Sequence, residues 1–86
     1  MKNKITLYID GDTEMAQIKI GKKILFLGNF WDFHPGTHGA DFEINGKTIS
    51  FKKEWTEDID TPKAVAEMIA AKIGAELEIK KESLEF

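Results

Sequence analysis

The sequence predicts an α+β domain: a twisted antiparallel sheet of about five to six strands, with one helix in the C-terminal half packed on one face. Three observations carry this. Between residues 5 and 51, apolar residues alternate with polar ones in short runs, the period of half-buried strands. Those runs are separated by Gly- and Asn-containing pairs of the kind that close hairpins. After Thr61-Pro62 the period changes to that of an amphipathic helix. Eighty-six residues make one domain, spanning 1–86, with a small core.

Taken in order, Ile5, Leu7 and Ile9 alternate with Thr6 and Tyr8. A two-residue turn at Gly11-Asp12 sets Leu7 opposite Ala16 and Ile5 opposite Ile18, all on one face. A second turn at Gly21-Lys22 leads into an apolar strand from Ile24 to Phe30. That pairing sends Leu25 and Leu27 to the core and Ile24, Phe26 and Phe30 to the other face, beside Tyr8. Trp31 to Gly39, with Pro35 and two glycines, is a loop. Phe42 and Ile44, Asn45-Gly46, then Ile49 and Phe51 form the clearest hairpin.

Trp55 to Asp60 reads as an acidic linker. Thr61 is a good N-cap, and Pro62 suits the first helical position. Val65, Met68, Ile69, Lys72 and Ile73 share one helical face, and Gly74 ends the helix. Phe42, Ile44, Ile49 and Phe51 are the expected partners of that face. Leu77 and Ile79 then alternate with charged residues as a last short strand. One helix covers only part of one sheet face, which leaves Tyr8, Ile24, Phe26 and Phe30 without an evident cover.

Hydrophobic residues at 42% and charged residues at 31% describe a folding chain rather than a disordered one. The absence of cysteine excludes disulfides, thiolate metal sites and cysteine catalysis. No apolar run reaches the length of a membrane span, and Met1 to Thr6 lacks the apolar core of a signal peptide. A cytoplasmic location is the expectation. The net charge is −3 and all twelve basic residues are Lys. Without the planar Arg fork, base-specific nucleic-acid reading is disfavoured.

Residues 40–79 combine the Asn45-Gly46 hairpin, an acidic spacer, a Thr61-Pro62 helix start and an Ala/Ile helix leading to a strand. This arrangement resembles the hairpin–helix–strand module of phage tail structural proteins and flagellin inserts. Asn45, Gly46, Thr61, Ala66, Ile69 and Ile73 match the structural roles of that module. The resemblance covers under half of the chain. It departs at Ala75-Glu76-Leu77-Glu78, where the module usually ends Val-Thr-Ala-Ser. It implies a small protein of phage or mobile-element origin.

Candidate chemistry gathers in one loop. His34 and His38, with Asp32 and Asp41 nearby, are the only set resembling metal ligands. Pro35-Gly36 forbids a helical His pair, and no Cys or third His completes a site, so no metal is expected. His34 or His38 with Asp32 could share a proton, but no nucleophile or phosphate-binding glycine loop accompanies them, so no enzyme activity or cofactor is expected. Tyr8, Ile24, Phe26 and Phe30, with Trp31 and Phe33 at the rim, are the expected partner-binding residues, together with Asp32, His34 and His38 in the same loop. The acidic sets Asp10, Asp12, Glu14 and Glu54, Glu57, Asp58, Asp60 read as a solvated surface or as a face for a basic groove on another protein.

The expected function is therefore a small non-enzymatic binding protein that inhibits or modulates a larger intracellular protein, as phage anti-defence proteins do. The alternative is a virion or assembly subunit that self-associates, as a homodimer for instance, through the second apolar face. Nucleic-acid binding is the least favoured reading.

Overall fold

The computed structural model describes residues 4–35 and 39–82. The described residues are α+β, with six strands and, in the C-terminal half, one helix. The strands are β1 (Lys4–Asp10), β2 (Met15–Ile20), β3 (Lys23–Asn29), β4 (Asp41–Ile44), β5 (Lys47–Ser50) and β6 (Glu76–Lys81). The helix, α1, spans Pro62–Ile73. The strands divide between two sheets: a four-stranded sheet in the order β3-β2-β1-β6, and the hairpin β4-β5. The larger sheet is mixed, because β6 runs parallel to β1. The parallel pairing follows from α1, whose length returns the chain to the starting end of the sheet before β6 begins.

The local signals act as expected at the hairpin and the helix. Asn45 and Gly46 both have positive φ, 53° and 80°, as a tight two-residue hairpin turn requires. The Thr61 side chain accepts a hydrogen bond from Ala64 N at 3.2 Å. Gly74 is left-handed (φ 69°), and its N–H closes on Ala70 O. The buried face of α1 is Pro62, Val65, Ala66, Met68, Ile69 and Ala70. It seats against β1, β2 and β6. Phe42, Ile44 and Phe51 of the hairpin segment are buried in the same core cluster as the helix face.

Two hairpin registers differ from the sequence expectation. β1 pairs with β2 so that Leu7 faces Ile18 and Ile5 faces Ile20, across a loop of four residues, Gly11 to Glu14. The Asp10 carboxylate accepts from Asp12 N (3.0 Å) and Thr13 N (3.3 Å), which lengthens the turn. Glu14 reverses the chain at φ 55°. The displacement is two residues, so Ile5, Leu7, Ala16 and Ile18 stay on one face and all are buried.

The second difference flips faces. A bulge in the β2–β3 ladder lies between Ile18 and Lys19: Lys19 faces Ile24, but Ile18 faces Phe26. Leu25 is the extra residue, and beyond it the alternation of β3 is inverted. Phe26 therefore enters the core and Leu27 leaves it, 41% exposed. The expectation that Phe26 lies on an open partner-binding face is corrected here.

Candidate functional site

Residues 30–32, directly after β3, are fixed by a few local contacts. Phe30 N donates to Glu14 O at 2.9 Å, tying the end of β3 to the first hairpin. Phe30–Asp32 form a single 3-10 turn. The Asp32 carboxylate accepts from Asn29 N at 3.0 Å. Gly28 makes room for it, since a Cβ there would lie 3.1 Å from Asp32 Oδ2. Asp32 is therefore a turn-forming residue, its carboxylate held by the backbone N–H of Asn29.

Phe33 is fully buried, with its ring stacked on Phe26. Its neighbours remain outside: Trp31 is 60% exposed, and His34 is also exposed. A buried ring between two exposed ones anchors the loop and presents Trp31 and His34 on the surface. Phe30 is half-buried against the core. Of the residues expected to meet a partner, Phe26 and Phe33 are thus core residues, and Phe30 is largely one. Tyr8 stays on the sheet face opposite the helix, with Lys19 and Lys80 ammonium groups 6.0 and 5.9 Å from its ring centroid. Ile24, 48% exposed, lies on that face too, joined by Leu27, which the expected register had placed inside. His38 lies outside the described residues.

Trp31 and His34 meet a segment that reads as a linker in the sequence. Trp55 is buried, with its ring stacked on Phe42 at 5.9 Å and edge-on to Phe26 at 6.3 Å. Its indole Nε1 donates to Ile59 O at 2.8 Å, so residues 55–59 curl round their own tryptophan. Ile59 N closes this loop on Thr56 O. The result is an open groove of about 580 Å3, bordered by Trp31, His34, Pro35, Trp55, Glu57 and Asp60. Aromatic and apolar surface lies on the side of Trp31 and Pro35, and the two carboxylates lie on the side of residues 57–60.

Glu57 and Asp60 belong to an acidic set already evident in the sequence; what sequence reasoning missed is their place beside Trp31. The signal was Trp55 itself. An indole within an acidic stretch needs burial, and once it is buried its flanking acids are carried to wherever the core surfaces.

Of the residues that resemble metal ligands in the sequence, Asp32, His34 and Asp41 are among those described and His38 is not. Asp32 is engaged by Asn29 N, and Asp41 is an exposed residue at the start of β4. Among the described residues no group of three His, Asp or Glu side chains converges. Nor is any helix among them long and apolar enough to cross a membrane. Compared with family models, curated proteins and solved structures, the chain matches none.

Proposed function

We propose that this chain is a non-enzymatic binding domain that holds a basic segment of a larger protein in the groove between Trp31 and Trp55, and modulates that protein by occupying the segment. The supporting observation is the exposed Trp31 ring bordering one groove with Glu57 and Asp60. An indole face attracts a Lys or Arg head group, and nearby carboxylates supply the counter-charge. The alkyl stem of such a side chain gains apolar contact along Pro35 and Trp31. The net charge of −3 adds a long-range attraction for basic partners. The resemblance of residues 40–79 to a phage structural module extends the proposal to a modulator encoded by a phage or mobile element. Defence-related genes found beside its own would support that origin, whereas tail or head genes would point to a virion subunit.

The test is a titration of the whole chain with short acetylated peptides rich in Lys or Arg, followed by tryptophan fluorescence. Saturable binding is expected, weakening with salt and lost in Trp31→Ala and in the double variant Glu57→Gln/Asp60→Asn. Equal response to an acidic peptide of the same length, or binding undiminished in both variants, overturns the proposal.

A further inference from the structure

β6 is an outer strand of the four-stranded sheet, and among the described residues no strand pairs with its other edge. Its phase is fixed by Glu82 N, which donates to Ile9 O at 3.1 Å. Backbone groups alternate sides along a strand, so those of the even-numbered residues face β1. Those of Leu77, Ile79 and Lys81 then point to the open edge. Natural edges are commonly blunted by charged side chains, proline, a bulge or shortness; the charges of β6 change sign between Glu78 and Lys80, so they can pair across a seam as well as repel. β6 has six residues, no proline and an even register with β1 throughout. Ile79, near its middle, is 40% exposed.

We propose that β6 pairs antiparallel with β6 of a second copy of this chain, across a twofold axis at Ile79, joining two four-stranded sheets edge to edge. The charge pattern selects this register. An open-edge residue must face an open-edge residue, which places the axis at a residue; around the middle of β6 the choices are Glu78, Ile79 and Lys80. An axis at Glu78 sets that carboxylate against its own copy, and an axis at Lys80 does the same for the ammonium groups. An axis at Ile79 sets Glu78 opposite the partner's Lys80 and Lys80 opposite the partner's Glu78. Leu77 then faces the partner's Lys81 stem, and the two Ile79 side chains face each other. Three residue pairs exchange backbone hydrogen bonds: Leu77 with the partner's Lys81, Ile79 with its counterpart, and Lys81 with the partner's Leu77. The Glu78–Lys80 positions fall between them, where opposed strands come closest, at about 4.5 Å between Cα atoms. Within one chain Glu78 already bridges Lys4 (2.6 Å) and Lys80 (3.3 Å), so the carboxylate is held on the strand beside the seam.

This association is independent of the Trp31 groove, and Trp31→Ala should leave it unchanged. Sedimentation equilibrium of the whole chain from about 10 µM to about 1 mM covers the range in which a small interface associates. A monomer–dimer equilibrium is expected. Lys80→Glu and Glu78→Lys should each weaken it about tenfold, because like charges then meet twice across the axis. An equimolar mixture of these two variants should associate more tightly than either alone, since opposite charges meet again in the heterodimer. Amide exchange on the unaltered chain serves as a check that needs no substitution: protection at Leu77, Ile79 and Lys81 should rise with concentration. A monomer at every concentration, variants that associate like the parent, a mixture no tighter than its components, or edge-amide exchange independent of concentration would each overturn the pairing.

Discussion

The ring of Phe33 lies against that of Phe26, centroids 4.3 Å apart and planes inclined by 28°. This contact joins the loop that carries Trp31 and His34 to the centre of the core, where Phe26 also meets Phe42 and Trp55 edge-on at 6.4 and 6.3 Å. Presentation of the groove therefore depends on the same side chains that hold the two sheets together.

Phe33→Ala should cost about 3–5 kcal/mol, the range for deleting a buried aromatic. Phe26→Lys should unfold the domain rather than alter its association, because it places an ammonium group among the rings of Phe33, Phe42 and Trp55. Chemical denaturation measures both. A folded Phe26→Lys protein with the parent's midpoint would mean that the bulge at Ile18/Lys19 is misplaced.

Trp31→Ala should change stability by no more than about 0.5 kcal/mol, as for an exposed side chain outside the core. The remaining emission comes from Trp55, which is buried, so the spectrum should shift to shorter wavelength and lose most of its quenching by iodide. Emission still red-shifted and quenchable after the substitution would show that Trp55 is accessible.

Ile69 is fully buried on the face of α1 that seats on the large sheet. Ile69→Ala should cost about 2–5 kcal/mol. A thermal melt that superimposes on that of the parent would remove α1 from the core.

Lys72 Nζ donates to Glu54 Oε1 at 2.7 Å and to Ser50 O at 2.8 Å, and it lies 5.5 Å from the Phe51 ring centroid. The Lys72 hydrogen bond, the largest influence on it, holds the Glu54 carboxyl below its ordinary range. A depressed carboxylate contributes stability that is fully present above its unfolded pKa, about 4.3, and is lost as pH falls through the lowered folded value. Lys72→Met should therefore destabilise the domain at pH 7 by more than it does well below pH 4. Urea midpoints for the two proteins at both pH values test this; a gap that stays constant or widens in acid would rule out the linkage.

Asp10→Ala should loosen the first hairpin by removing the acceptor for Asp12 N and Thr13 N, at a cost of about 1–3 kcal/mol. If the turn is instead a two-residue one at Gly11-Asp12, the substitution should be nearly neutral by thermal melt.

Local chemistry, legible in the sequence alone, determined much of this protein. Asn45-Gly46 supplies the left-handed turn of β4–β5. Thr61, Pro62 and Gly74 bound the helix, and period-2 alternation chose the buried face of β1 and β2. That choice survived a two-residue error in register because the side-chain period is itself two. The absence of arginine and cysteine narrowed the chemistry.

The tertiary structure decided the rest. The β3 run is apolar on both sides, so alternation could not reveal a one-residue bulge; the competition of Phe26 and Leu27 for one core settled it, and the larger aromatic ring is the one buried. The parallel pairing of β6 with β1 joins segments about seventy residues apart, and local propensity carries no information about such a contact. The groove, likewise, exists only because Phe33 and Trp55, far apart in the chain, are drawn into one core and carry Trp31, Glu57 and Asp60 to its edge.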